Sequence, residues 1–148
     1  MRASDLVADH PAVSLSTPAI EAARLLARTN LPGLLVVDDS GGRPRAVLPG
    51  TQVLRMAVPA YCQDDPTLAR VIDEDAADVF LTELGDLTVG DLLPPQPSEL
   101  PVVAPDATVL EMAAMMARTR SPLVAVVDGT RLLGAVTLDR LLDTVLAS

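Results

Sequence analysis

The sequence contains no lysine and no tryptophan, and its 148 residues include one cysteine, one histidine, one tyrosine and one phenylalanine. The lack of lysine excludes a Schiff base and a P-loop lysine. His10 and Cys62 alone cannot form a His/Cys metal cluster, and they leave little scope for a Ser-His-Asp or Cys-His catalytic arrangement. No G-x-S-x-G sequence is present either. We therefore expect a protein that is not an enzyme.

The charge and hydropathy patterns exclude further classes. The formal net charge is −9, every basic residue is an arginine, and aromatic residues make up 1% of the chain. Neither a basic surface for phosphates nor a stacking surface for bases is expected. No apolar run approaches the roughly 20 residues of a membrane span, and the N-terminus lacks an apolar signal core. A single cysteine excludes an intramolecular disulfide. We predict a cytoplasmic protein with no nucleic-acid binding and no direct membrane insertion.

The stretch from Thr108 to Leu142 carries the clearest structural pattern. Thr108 and Glu111 have the spacing of a capping box, and an apolar helix pattern follows to about Arg118. Residues 124–128 are predicted to form a strand, and residues 132–137 its antiparallel partner after a turn at Gly129. Residues 138–146 have the apolar spacing of a closing helix. With 49% hydrophobic residues and a mean hydropathy of +0.36, the chain has ample material for a core.

An earlier part of the chain repeats this stretch in one register of 90 positions, as Glu21 and Glu111 illustrate. The register holds across helix, break and strand, which indicates a true duplication. Each unit is predicted to read strand, helix, strand, strand, helix. We expect repeat 1 in residues 1–56, an acidic connector of one or two helices in residues 57–88, and repeat 2 in residues 89–148. The matching pairs are Arg28 and Arg118, Thr29 and Thr119, Pro32 and Pro122, and Asp38 and Asp128.

The order of these elements resembles the cystathionine-β-synthase (CBS) domain family, in which two repeats form one Bateman module. The resemblance is carried by the helix end, the proline and the apolar strand of residues 118–128, and by residues 134–137 with the following helix. It implies an α/β fold of the α+β type, with two tandem repeats packed sheet to sheet around a pseudo-two-fold axis. It also implies a regulatory module that binds adenosyl nucleotides in clefts between the repeats.

The resemblance suggests specific ligand contacts. In the family a Thr or Ser closes the last strand, and an Asp three residues later accepts hydrogen bonds from the ribose hydroxyls. Thr137 fits the first role, but the third residue after it is Arg140, with Asp139 one place earlier. An Arg at this position could favour a phosphate or another anion. AMP, ADP, ATP or S-adenosylmethionine is the implied regulatory ligand.

The other implied contact positions are less distinctive. The first repeat places Thr51 and Gln52 in the equivalent region, with no acid. Asn30, Arg120 and Ser121 are found where the family contacts a base. Ordinary helix termination before proline is the alternative explanation for Asn30, Arg120 and Ser121, and helix capping is the alternative for Thr137.

Two expectations concern partners and the connector. The helix of Met112, Met115 and Met116 is apolar almost all round, which predicts a homodimer through this helix. An unidentified enzyme or transporter would be regulated in trans. The alternative function is a dimerisation or scaffold module that has lost nucleotide binding.

The connector acids could bind a divalent cation, although a solvated helix face is the simpler explanation; they are Asp64, Asp65, Asp73, Glu74, Asp75 and Asp78.

Overall fold

The computed structural model describes residues 1–40, 42–71, 75–93 and 99–147. The strands are β1 (Ala12–Ser14), β2 (Gly33–Val37), β3 (Pro44–Pro49), β4 (Val102–Val103), β5 (Leu123–Asp128) and β6 (Arg131–Thr137). The helices are α1 (Ala3–Leu6), α2 (Ala19–Thr29), α3 (Gly50–Ala57), α4 (Ala60–Asp64), α5 (Pro66–Val71), α6 (Ala76–Leu84), α7 (Val89–Leu92), α8 (Val109–Thr119) and α9 (Leu138–Leu146).

The strands form two three-stranded sheets with the orders β1-β2-β3 and β4-β5-β6. In each sheet the first two strands are parallel and the last two form an antiparallel hairpin. The hairpin register shifts between Val36 and Val37, and again between Val126 and Val127. The irregularity thus recurs after 90 residues, as the duplication requires. The predicted order of strand, helix, strand, strand, helix is confirmed in both repeats.

The two sheets pack face to face, as predicted. Leu35 of β2 is 1% exposed and lies in one apolar cluster with residues of the second sheet. Two of the four buried residues of this cluster are alanines. Helices cover the other face of each sheet, so that the molecule has an α/β architecture with three buried apolar layers. The second-sheet members of the shared cluster are Leu123, Ala125 and Ala135.

The short helices α1 and α7 are exchanged between the repeats. Helix α1 lies at the start of the first repeat in the chain, yet Ala3 N donates to Ala107 O at 2.8 Å and the helix is buried in the core of the second repeat. Conversely, Val89 N of α7 donates to Thr17 O at 2.8 Å, and α7 completes the core of the first repeat. Each hydrophobic core therefore depends on a segment from the other side of the connector.

Prolines mark several of the helix starts. The N-cap of helix α2 is Pro18, which makes no side-chain hydrogen bond. Thr17 Oγ1 instead accepts from Ser14 N at 3.0 Å and closes the preceding turn. The described residues of the connector form three helices, α4 to α6, rather than one or two. Pro59 and Pro66 mark the starts of α4 and α5, because proline cannot lie inside a helix without losing a hydrogen bond.

Candidate functional site

The last strand of each repeat delivers the predicted ligand residues to the start of a helix. Pro49 pairs with Gly33 at the end of the first hairpin, and Thr137 pairs with Leu123 at the end of the second. Residues 49–52 therefore correspond to residues 137–140. By this register, Gln52 and Arg140 both occupy the position where the resembled family carries its ribose-binding acid.

Both of these side chains bind the protein's own backbone. Gln52 Nε2 donates to Leu92 O at 2.8 Å, and Arg140 Nε donates to Leu6 O at 3.1 Å. Leu92 and Leu6 are the last residues of α7 and α1. The terminal carbonyls of a helix have no partner within the helix, so the two donors satisfy equivalent carbonyls on the two exchanged helices. We call these two contacts the carbonyl latches.

We call residues 137–140 the second-repeat rim and residues 49–52 the first-repeat rim. The second-repeat rim retains polar groups that form no hydrogen bond within the chain. Thr137 is the N-cap of α9, is partly buried, and makes no side-chain capping bond. Asp139 is exposed, and its carboxylate forms no hydrogen bond with any part of the chain that the structure describes. Arg140 uses only Nε in its latch, which leaves its two terminal nitrogens as donors. The first-repeat rim has fewer polar groups available to a ligand, because Pro49 has no hydroxyl and the Gln52 amide nitrogen donates to Leu92 O.

The opposite rim consists of two equivalent helix ends. Asn30 and Arg120 have φ values of 55° and 54°, in the left-handed region, and cap α2 and α8. Asn is common at such a C-terminal cap, whereas Arg is unusual there. Ser121 Oγ donates to Leu123 O at 2.6 Å and helps to close the turn into β5. The Arg120 side chain is exposed and has no hydrogen-bond or ion-pair partner among the described residues.

Three of the eight predicted ligand residues, Thr51, Arg120 and Ser121, line one large apolar groove of about 1290 Å³. Helices α2, α3 and α6 form one side of this groove, and α8 and α9 form the other. Arg24 and Arg120 are its only charged lining residues within the ranges described above. The remaining five predicted ligand residues do not line it; they are Asn30, Gln52, Thr137, Asp139 and Arg140. We refer to this surface as the helical groove.

The methionines of α8 mostly face inward. Met112 is fully buried and Met116 is 5% exposed, both in the core of the second repeat. Met115 is half-buried against the same core. Met112 therefore cannot supply an outer contact surface, and Met116 contributes only to the floor of the helical groove. The exposed positions of α8 include Leu110, Ala114 and Ala117, and a homodimer through this helix stays a prediction.

Sequence reasoning did not identify helix α6 as part of this surface. Phe80, Leu81 and Leu84 of α6 line the helical groove, and Leu81 is 47% exposed. Their spacing of one and three residues was visible in the sequence as an apolar helix face. The position of that face depends on contacts between α6 and the distant helices α2 and α3, which no local pattern encodes.

The acidic connector shows helix capping. Asp75 Oδ1 accepts from Ala77 N at 2.8 Å, and Asp65 Oδ1 accepts from Thr67 N at 3.1 Å. Asp73 and Glu74 lie outside the described residues. Among the residues that are described, no group of three or more His, Cys, Asp or Glu side chains could hold a metal ion.

A hydroxyl cluster lies at the other end of the first sheet. Ser16 Oγ donates to Asp39 Oδ1 at 3.0 Å, and the Ser14 hydroxyl lies 3.2 Å from the Ser16 hydroxyl. The Ser14 hydroxyl, followed by that of Ser16, lowers the pKa of Asp39 because both stabilise its charged form. This cluster is exposed and far from the latches along β2 and β3, so it contributes nothing to the rims.

Two other residues have structural roles. His10 Nε2 lies 2.9 Å from Gly33 O and donates to it at the start of β2. Cys62 is 7% exposed and packs as a small apolar residue of α4. No helix in the described portion of the chain has the length and apolar character needed to cross a membrane.

Comparisons with known proteins agree with this architecture. A model of the CBS domain matches residues 3–57 and 89–147. The chain is similar to the structure of a CBS domain-containing protein of unknown function from Kribbella flavida, with 53% identity over 99% of both chains and a TM-score of 0.83. It is also similar to CBSX2 from Arabidopsis thaliana, with 21% identity over 99% of this chain and 94% of that chain and a TM-score of 0.74.

A structure of CBSX2 in complex with AMP is similar at 21% identity, with 99% of this chain and 96% of that chain covered and a TM-score of 0.67. Likenesses at this level of identity concern the fold. Among curated protein sequences, none is significantly similar to this chain.

Proposed function

The chain belongs to the CBS domain family, and from this premise we propose that it is a non-catalytic regulatory module that binds an adenosine phosphate at the second-repeat rim. It then passes its ligand state to a separate partner, an enzyme or a transporter. The observation that carries this proposal is the set of unengaged polar groups on Thr137, Asp139 and Arg140. The complex of the similar protein CBSX2 with AMP supports the ligand class.

The chemistry of the rim favours a phosphate-bearing ligand. The two terminal nitrogens of Arg140 are charged donors, and guanidinium groups bind phosphate through paired hydrogen bonds. The Asp139 carboxylate can accept from ribose hydroxyls, although it lies one residue earlier than the acid of the family. S-adenosylmethionine carries a sulfonium cation where a nucleotide carries phosphate, so we expect AMP, ADP or ATP to bind more tightly.

A single site per chain is the expected stoichiometry. At the first-repeat rim, Pro49 replaces the hydroxyl of Thr137, and Gln52 is held in its latch. Gln52 also lacks the positive charge of Arg140. The two rims are therefore related in backbone position but differ in their capacity to bind an anion.

Dimerisation through the helical groove is the second part of the proposal. Leu54 and Leu142 occupy equivalent positions on α3 and α9, line the groove, and are 51% and 46% exposed. An apolar surface of this size on a folded protein usually marks an interaction site. A homodimer would cover it with a surface of the same composition.

Isothermal titration calorimetry with AMP, ADP, ATP and S-adenosylmethionine tests the ligand proposal. We expect a nucleotide to bind the wild-type chain at one site, and Arg140→Gln to abolish that binding. Arg140→Gln introduces the residue of the first repeat, so it removes the charge and keeps a donor for Leu6 O. Gln52→Ala is the matched control, because it removes the other latch and should leave ligand binding unchanged.

A constitutive dimerisation scaffold is the second candidate function. The carbonyl latches favour it, because both positions that hold the ribose acid in the family serve an internal contact here. If AMP, ADP, ATP and S-adenosylmethionine all give no heat of binding in calorimetry and the chain forms a stable dimer, the scaffold function is established and ligand sensing is overturned.

A further inference from the structure

The N-terminal segment that contains α1 is fastened to the second repeat at both ends of the helix. At the start of the helix, Ala3 N donates to Ala107 O at 2.8 Å. After the helix, Ala8 N donates to Ala135 O at 3.1 Å, and Ala135 N donates to Ala8 O at 3.0 Å. Ala135 lies on β6, two residues before the second-repeat rim. The segment around α1 therefore lies directly beside the strand that carries the proposed ligand groups.

The latch of α1 also orients the charged group of the rim. Arg140 Nε donates to Leu6 O at 3.1 Å, and Leu6 is 1% exposed, so this carbonyl belongs to a helix end that is packed into the core. A guanidinium is planar and rigid, so a bond at Nε also fixes the directions of both terminal nitrogens. A free arginine loses side-chain entropy when it binds an anion, whereas a latched arginine has already lost it.

The latch and a bound phosphate can use different nitrogens of Arg140. Nε donates to Leu6 O, and the two terminal nitrogens can form paired hydrogen bonds with a phosphate. Both contacts can therefore exist at once, and each holds the guanidinium in the orientation that the other requires. A phosphate at the terminal nitrogens then favours the docked position of α1. By linkage, the docked helix favours phosphate binding to the same extent.

The first repeat contains the same latch without the charge. Gln52 Nε2 donates to Leu92 O at 2.8 Å, at the end of α7. Both latched helices have four residues and an aspartate in their first turn. A glutamine amide is neutral and has no planar pair of charged donors for a phosphate. Helix α7 is therefore an internal control for α1 within the same molecule.

We propose that α1 positions Arg140 for the phosphate of the ligand, and that the bound ligand in turn holds α1 in its docked position. Leu6 is a positioning residue, since its carbonyl oxygen acts through Arg140 and does not contact the ligand. This inference deepens the proposed function and rests on it. It names the element that responds to the ligand, since the local opening of α1 becomes less frequent when the site is occupied.

Amide hydrogen exchange of the full chain, followed by mass spectrometry, tests this coupling. Exchange is measured in peptides that cover α1 and α7, without nucleotide and with AMP, ADP or ATP at a concentration that saturates the site in calorimetry. We expect the bound nucleotide to slow exchange in α1 about fivefold or more relative to its effect on α7, which is the lower end of typical coupling between two sites. A ligand that only stabilises the whole fold would slow both helices equally.

Arg140→Lys separates the positioning of the charge from the charge itself. A lysine is still positive, but its single ammonium nitrogen cannot hold Leu6 O and a phosphate in the fixed geometry of a guanidinium. We expect this variant to bind the nucleotide more weakly and, once saturated, to show equal slowing in α1 and α7. Gln52→Ala is the matched control, because it removes the latch of α7 and should leave the slowing of α1 unchanged.

The outcomes distinguish this inference from the proposed function. Nucleotide binding in calorimetry with equal slowing of α1 and α7 would overturn the positioning role of α1 and leave the ligand site intact. Faster exchange of α1 on binding would overturn it as well, since the phosphate would then draw Arg140 away from Leu6 O. Selective slowing of α1 that persists in Arg140→Lys would also overturn it, because the coupling would not run through the latch. If no nucleotide binds in calorimetry, the proposed function is overturned and this inference with it.

Discussion

Replacing Gln52 by alanine measures how strongly a carbonyl latch holds an exchanged helix in place. Gln52 Nε2 donates to Leu92 O at 2.8 Å, and the Leu92 side chain is fully buried. A hydrogen bond of this kind contributes about 0.5–1.5 kcal/mol, and a partly buried carbonyl left without its partner adds to the cost. We expect Gln52→Ala to lower the free energy of unfolding by about 1–2 kcal/mol. For a chain of this size that corresponds to a loss of about 2–8 °C in Tm.

Urea unfolding followed by far-UV circular dichroism provides the measurement, with the m-value expected to stay unchanged. Gln52→Glu is a nearly isosteric companion that cannot donate when ionised, so it should destabilise more than alanine at pH 7. A Glu facing a carbonyl has a raised pKa in the folded state, because only the protonated form can donate. The loss in free energy of unfolding of Gln52→Glu, relative to the wild-type chain, should therefore become smaller as the pH falls towards and below that raised pKa. An unchanged free energy of unfolding in Gln52→Ala, or a Glu variant as stable as the alanine variant, would refute the latch.

Two further substitutions test other features of the structure. Gly134 has a φ of +147°, and a Cβ at this position would collide with the carbonyl oxygen of Ala8, so Gly134→Ala should destabilise the chain by about 2–4 kcal/mol in urea unfolding. Gly129→Ala, with a φ of +63° and open space around it, should cost about 1 kcal/mol and is the control. Leu142→Asp should convert the dimer to a folded monomer in sedimentation, because it places a charge in the helical groove, whereas Leu68→Asp should leave the dimer intact.

Much of the fold could be predicted from the sequence because its signals are local. A run of β-branched residues that ends at an Asp, followed by a Gly turn, predicted the hairpin of β5 and β6. Helix α9 was predicted with the bounds that the structure has, residues 138–146. The duplication then extended these local signals to the first repeat, where Gly41–Gly42 and the apolar run of residues 34–37 are less distinctive.

The rest depends on contacts between distant parts of the chain. Arg140 and Leu6 are 134 positions apart, so no periodicity could show that Arg140 donates to the last carbonyl of α1. The helix of Met112 and Met116 is apolar almost all round, and the sequence could not tell which side faced the core. Both methionines are buried, whereas Leu110 of the same helix is 79% exposed.

The exchange of α1 and α7 has a consequence for folding. Because each core includes a helix from the other side of the connector, neither repeat carries all the residues of its own core. The two repeats should therefore unfold in one cooperative transition rather than in two separate steps. A proteolytic cut in the connector, where α4 and α5 are short and exposed, should leave the two fragments bound to each other. Separately expressed halves should acquire their native structure only when they are mixed.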